Sequence, residues 1–319
     1  MRALLTLLLA CSSSPNPAEK ADGADTGEGA AALVPLAVDG LAAGVSEEQI
    51  GATIAALEAA GTRLTGSSGN AAARATIAEA MGAAGLAVEE DPFDFGSRSG
   101  VNLLGWKMGT DEPNVVYVFQ AHYDSTSEDP EVSAPGADDN ASGVAAMLEA
   151  ARLIGAYDTR YTALFVATDG EEQGSKGSAH LVERLQNEGY ALRGVIAPDM
   201  IGYWPLGEGD AFDILGDGDA AGLVDEMSAV ADRLGVAHKV WLRHDYCYGD
   251  DHTMWQEAGV PAISPMDCVE AHNEPGSGED TPHYHRTSDT IETVHLPFTA
   301  RVTQVLVVTF AGWVKPWAG

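Results

Sequence analysis

The sequence predicts an α/β fold: a mixed, mostly parallel central sheet with helices on both faces, built as a single domain. Three observations carry this expectation. Strand-like apolar segments alternate with helix-like amphipathic ones through most of the chain. Val115-Val116-Tyr117-Val118-Phe119 is an uninterrupted apolar run, the pattern of a strand buried on both faces. Acidic and imidazole side chains cluster just after such runs, where open α/β sheets place their ligands.

Taken in order, Ser46-Glu47-Glu48-Gln49 reads as a capping box opening a helix through Ile50, Ile54 and Leu57. A second helix is expected over Asn70–Ala84, then strands over Leu86–Phe95, Val101–Met108 and Val115–Phe119. Helix Ala141–Ile154 precedes strand Thr162–Ala167, and helix Ser178–Gln186 precedes strand Val195–Ala197. Strand Phe212–Leu215, helix Ala221–Leu234, strand Lys239–Leu242, helix His252–Glu257 and strand Pro261–Ser264 follow. A helix over Phe298–Trp313 closes the chain. No internal repeat is visible.

The 319 residues include 45% hydrophobic side chains, enough for a large core, which excludes a disordered chain. Asp and Glu total 48 against 17 Lys and Arg, a net charge of −31. So few cations cannot build the basic face that phosphates require, so nucleic acid is excluded as a partner. Such charge suits a soluble surface and concentrates cations near the protein.

At the N-terminus, Arg2 precedes the short apolar stretch Leu4–Ala10, and Leu8-Leu9-Ala10-Cys11 looks like a bacterial lipobox. Residues 1–11 are therefore read as a lipoprotein signal peptide, with Cys11 the lipidated residue. Residues 12–45, rich in Ser, Pro, Ala, Gly and acid, read as a disordered linker. The folded domain is placed at 46–319. The protein is expected to be exported to the bacterial cell envelope or secreted, monomeric, and bound to membrane through a lipid anchor alone. Cys247 and Cys268 would then form a disulfide.

The chemistry lies in separated segments: Gln120-Ala121-His122-Tyr123-Asp124, Gly136-Ala137-Asp138-Asp139-Asn140-Ala141-Ser142-Gly143, Asp169-Gly170-Glu171-Glu172, Asp199-Met200, and His283-Tyr284-His285-Arg286-Thr287-Ser288-Asp289-Thr290. Each alone has an ordinary reading. Asp138-Asp139-Asn140 suits a helix cap, and Glu171-Glu172 a solvated helix start. Together they fall at one sheet edge, and metal chemistry accounts for that. A catalytic zinc takes three imidazole or carboxylate ligands and keeps one position open. His122, Asp139, Glu172, Asp199 and His285, with Asp139 bridging, supply three ligands to each of two Zn2+ ions, and Glu171 remains as general base.

These segments, with Gly66-Ser67-Ser68-Gly69-Asn70, Gly174, Gly177-Ser178 and Asp251-His252, resemble the co-catalytic zinc aminopeptidases of peptidase family M28 over roughly residues 46–315. The resemblance implies that His122 and Asp199 complete one zinc site and Glu172 and His285 the other. It makes Asp139 the bridge and Glu171 the acid/base in hydrolysis of peptides with a free N-terminus. Asp124 would fix the His122 tautomer from behind. Asp289 either orients His285 or caps the following helix. Relatives carry an oxyanion-stabilising tyrosine before the Asp-His pair. Here Cys247 occupies the expected position, flanked by Tyr246, which is favoured, and Tyr248. Met200, Tyr203, Trp204 and Met266 either line the first substrate pocket or belong to the core. Glutaminyl cyclases share the fold and much of the constellation, and a carboxypeptidase or dipeptidase of the same family is a further alternative. A binding protein on a decayed peptidase fold would have lost ligands or base, and none is missing.

Overall fold

The computed structural model describes residues 34–204, 211–242, 250–267 and 281–318. Cys11, Tyr246, Cys247, Tyr248 and Cys268, and with them the lipidation, oxyanion and disulfide expectations, lie outside the described residues. No helix among the described residues is long and apolar enough to cross a membrane.

The strands are β1 (Val34–Pro35), β2 (Ala87–Phe95), β3 (Arg98–Lys107), β4 (Glu112–His122), β5 (Tyr161–Thr168), β6 (Ala191–Ile196), β7 (Phe212–Gly216), β8 (His238–Leu242), β9 (Ala262–Met266) and β10 (Trp317–Ala318). The helices are α1 (Glu47–Glu58), α2 (Ser68–Ala83), α3 (Ala141–Gly155), α4 (Lys176–Asn187), α5 (Ala221–Leu234), α6 (Asp251–Glu257) and α7 (Leu296–Val314). Eight strands form one sheet in the order β2-β3-β5-β4-β6-β9-β7-β8. Pairings β4/β5, β4/β6, β6/β9 and β7/β8 are parallel; β2/β3, β3/β5 and β7/β9 are antiparallel. The mixed, mostly parallel sheet expected from the sequence is therefore present.

β4 explains why its apolar run is continuous. Tyr117, Phe119 and Ala121 face a core built with α1, α2, α3, α5 and α7, while Val116 and Val118 face a second core under α4 and α6. This is the period-two alternation of a strand with both faces covered. On the first face Phe310 of α7 meets Phe119 and Phe165 edge-on, each at 5.4 Å between ring centres. On the second face the buried amide of Gln120 accepts from Trp255 Nε1 at 2.8 Å and donates to Ser178 Oγ at 2.9 Å. A polar residue inside the run is thus satisfied on both sides.

Two expectations need correction. Residues 34–45 are not linker. β1 pairs with β10 across almost the whole chain, and Leu41 and Ala42 of the 3₁₀ helix Val38–Gly44 are buried. Only half of the capping box at Ser46 forms: its hydroxyl accepts from Gln49 N at 3.2 Å, but Ser46 N donates to Glu149 Oε1 at 2.7 Å rather than to Gln49, and the motif starts a helix rather than the domain. The second correction concerns strand ends. β7 and β8 run opposite to β9, so their carboxyl ends face the other sheet edge. Chemistry gathers beyond β4, β5 and β6, whose ends share one edge, and not beyond β7.

Candidate metal centre

Each donor is delivered by a local feature. His122 is the last residue of β4, and Glu171 and Glu172 follow β5 after a turn. Asp199 lies three residues beyond β6. Asp139 precedes α3, whose N-cap is Asn140: its Oδ1 accepts from Gly143 N at 3.0 Å. A Cβ on Gly143 would lie 2.3 Å from that oxygen, so only glycine leaves room for the cap. Because Asn140 does the capping, the Asp139 carboxylate is left for other work. The Asp139–Asn140 peptide is cis.

These segments converge. His122 Nε2 lies 3.3 Å from Asp139 Oδ1 and 3.3 Å from Asp199 Oδ1. His285 Nε2 lies 3.3 Å from Asp139 Oδ2 and 3.1 Å from Glu172 Oε2. Two cages result, His122/Asp139/Asp199 and Asp139/Glu172/His285, each with its donor atoms within 4.8 Å of one another. Asp139 gives one oxygen to each. Donors bonded at ~2.1 Å in a tetrahedron around one ion lie about 3.4 Å apart, so the observed spacing fits an ion in each cage. Among the described residues, Glu172 Oε1 is buried without a hydrogen-bond partner. Such an orphan is costly in a dry site and is accounted for by a cation. The N/O donor set without sulfur suits catalytic zinc.

The supports differ in part from expectation. His122 Nδ1 meets the Asp124 backbone carbonyl at 3.1 Å, while the Asp124 carboxylate is 3.6 Å away. The carbonyl therefore sets the tautomer that turns the Nε2 lone pair into the cage. The Asp124 carboxylate instead accepts from Glu171 N at 3.1 Å and Glu172 N at 3.2 Å, aiming base and ligand together. Asp289 neither orients His285 nor caps a helix. Its two oxygens accept from Asp138 N at 2.9 Å and Asp139 N at 3.0 Å, which fixes the bridging residue. A carboxylate so placed could not be told from a helix cap by its position before Thr290.

Of the proposed pocket residues, Met200 is 2% exposed and Met266 is 3% exposed, the latter clustered with Leu215 and backed by Trp241. Tyr203 is half-buried with its N–H on Asp267 Oδ2 at 2.9 Å, and Trp204 is exposed against His295. Tyr284 stacks on His285 at 3.8 Å between ring centres. Sequence reading missed Asp250, the N-cap of α6, which joins Glu171 and Asp199 in a third close group of carboxylates. The Asp251-His252 motif beside it was the available signal. His252 Nδ1 and Ser264 Oγ both meet Asp250 Oδ2, at 3.0 and 3.1 Å.

Metal charge apart, the site is acid-rich and largely buried. Burial pushes Glu171 well above the usual carboxylate range; His122 opposes this, and Asp199, Asp251 and Asp250 add to it. Burial and Asp139 raise Glu172 to about 7. Burial likewise raises Asp138, Asp169 and Asp251 to about 6, and burial with Asp138 raises Asp289 to about 8. Burial disfavours charge on His285, but its hydrogen bonds to Asp139 and Glu172 prevail and hold it at about 10.

Groups raised above their unfolded values lend stability that is complete below those values and lost as pH rises through the folded ones. Stripped of divalent ions, the protein should therefore be less stable at pH 8 than at pH 5, and zinc should reverse the loss. Urea midpoints at both pH values, with chelator and with zinc, check this; equal or higher stability of the stripped protein at pH 8 would contradict it.

Comparison with known proteins agrees with this geometry. A model of peptidase family M28 matches residues 102–310. A protein of Pyrenophora tritici-repentis named "Probable zinc metalloprotease" is 30% identical over 83% of this chain and 66% of its own length. The chain thus spans just under two thirds of such curated relatives. Among solved structures, the LapA aminopeptidase of Legionella pneumophila superposes with TM-score 0.74 at 19% identity, covering 90% of this chain and 78% of that one. BSAP, a zinc aminopeptidase from Bacillus subtilis, gives 0.73 at 16% identity, covering 85% and 96%. A Porphyromonas gingivalis glutaminyl cyclase gives 0.70 at 19% identity, covering 85% and 99%. At these identities the structures establish the fold, while the family model spans all five residues that build the two cages. The chain belongs to peptidase family M28, a family of zinc peptidases.

Proposed function

We propose that this protein is an aminopeptidase that uses two zinc ions to remove residues from the free N-terminus of peptides. The observation that carries the reading is the sharing of Asp139: one oxygen faces His122 and Asp199, the other Glu172 and His285. Two ions held there would act as Lewis acids, activating water near neutral pH and polarising the scissile carbonyl.

The chain's own residues do the rest. Glu171 is held in place through its backbone by Asp124, and its Oε1 accepts from Ser175 Oγ at 3.1 Å. It takes a proton from the attacking water and returns it to the leaving amine, a task suited to a buried carboxylate with raised proton affinity. Glu171, Asp199 and Asp250 form a corner beside the first cage, in which burial opposes charge on Asp250 but His252 prevails and holds it ionised. That corner favours a substrate α-ammonium and repels a substrate carboxylate, which supports an aminopeptidase over a carboxypeptidase.

A panel of aminoacyl-arylamides, with and without chelator, tests the reading. Free-amine substrates should be hydrolysed and their N-acetylated forms spared, with activity lost to chelator and restored by zinc. Likeness to a glutaminyl cyclase keeps a second outcome in the same assay: a glutaminyl substrate converted to its pyroglutamyl form with release of ammonia, at one zinc per chain, would replace the aminopeptidase reading.

A further inference from the structure

Arg63 lies in the turn between α1 and α2, outside the region matched by the family model. It is fully buried, at 0% exposure. A guanidinium in such a place must have its donors satisfied. Nε donates to the carbonyl of Tyr123 at 2.7 Å, Nη2 to that of Gly136 at 2.9 Å, and Nη1 to that of Pro135. Tyr123 follows His122 directly, and Pro135 and Gly136 lead into Asp138-Asp139. One rigid fork therefore joins the loop carrying a ligand of the first cage to the loop carrying the bridge.

The neighbouring contacts repeat this. Arg63 N donates to Ser125 Oγ at 3.3 Å, and Ser125 Oγ donates to Ala134 O at 2.7 Å. Thr65 Oγ1 of the same turn and Asn70 Nδ2 of α2 donate to Asp169 Oδ1 at 2.8 and 3.0 Å, holding the start of the loop that bears Glu171 and Glu172. Gly136 has φ +54°, and a Cβ there would run into Asp139 O, Ser125 Cβ and Arg63 Nη2, so the turn beside the guanidinium is packed tightly against the bridging residue. Burial works against the Arg63 charge, while the carboxylates of Asp289, Asp139, Asp124 and Glu172 favour it.

We infer that Arg63 is a positioning residue for the metal pair: its fork, seated on the carbonyls of Tyr123, Pro135 and Gly136, sets the separation of His122 from Asp139 and so the geometry of both cages. This rests on the reading of those cages as zinc sites. A lysine cannot substitute, because an ammonium offers a point charge in place of a planar fork.

The test titrates chelator-stripped, full-length wild type, Arg63→Lys and Arg63→Met with zinc against a chromophoric competitor, alongside circular dichroism and thermal melts. Val224→Ala, a core change in α5, which neither carries nor adjoins a ligand loop in sequence, serves as a control for general destabilisation. Both Arg63 variants should remain folded and bind zinc about 10–100-fold more weakly, the range for loss of a group that orients ligands. The control should keep wild-type affinity despite a lower melting temperature. If neither Arg63 variant folds, Ser125→Ala, which removes the hydroxyl joining the Arg63 turn to the loop before Asp139, should lower zinc affinity in the same direction. Wild-type affinity in Arg63→Lys, or in Ser125→Ala where that variant is needed, overturns the inference, as does a loss matched by the control. A wild type that binds no zinc overturns the zinc reading instead.

Discussion

Glu171→Gln is expected to lower kcat by about 10²–10⁴-fold, the usual contribution of a positioned general base, with both zinc ions retained. An amide of the same shape can still accept from Ser175 Oγ, and the backbone N–H of residue 171 still donates to Asp124. It cannot take up a proton. A loss of 10³ corresponds to about 4 kcal/mol of transition-state stabilisation. Because burial and three neighbouring carboxylates disfavour charge at this position, the uncharged side chain should fold at least as well in stripped protein. Steady-state rates with metal analysis on the same sample check the claim. Near-normal turnover would remove Glu171 from the mechanism, and loss of metal would make it a ligand instead.

Asp139→Ala should empty both cages together. Each is left with two donors, and affinity for each ion should fall by more than about 100-fold, beyond the cost of losing an orienting group alone. Asp139→Asn makes a finer distinction. It keeps one carbonyl oxygen, so it can serve one cage and not bridge two, and it should bind at most one ion. Elemental analysis after dialysis against dilute zinc reads the stoichiometry. Two ions retained in Asp139→Asn would mean that the shared carboxylate is not a bridge.

The sheet centre and the donors were legible because their signals are local. The β4 run must be apolar on both faces, and His122, Glu171, Glu172 and Asp199 lie at a strand end or within four residues of one. What escaped depends on distant pairing. β1 and β10 are too short to show a period, and each is stabilised by the other. The reversal of β7 against β9 leaves no trace in either strand's composition. Asp289 and Asp124 act on backbone N–H groups, which every residue carries, so their targets cannot be read from residue types. Arg63 is hidden for the same reason: its partners are carbonyls, and its exposure is a property of the whole fold.

The donors run from His122 to His285, with α7 still to follow. During synthesis the donors of the first cage have all emerged with Asp199, but Asp139 is held by Asp289, so both cages wait for the segment that carries His285 and Asp289. Most of the pairings that hold these loops are non-local and form late in folding. Zinc is thus poorly placed to nucleate this structure, and metal uptake belongs to the finished molecule.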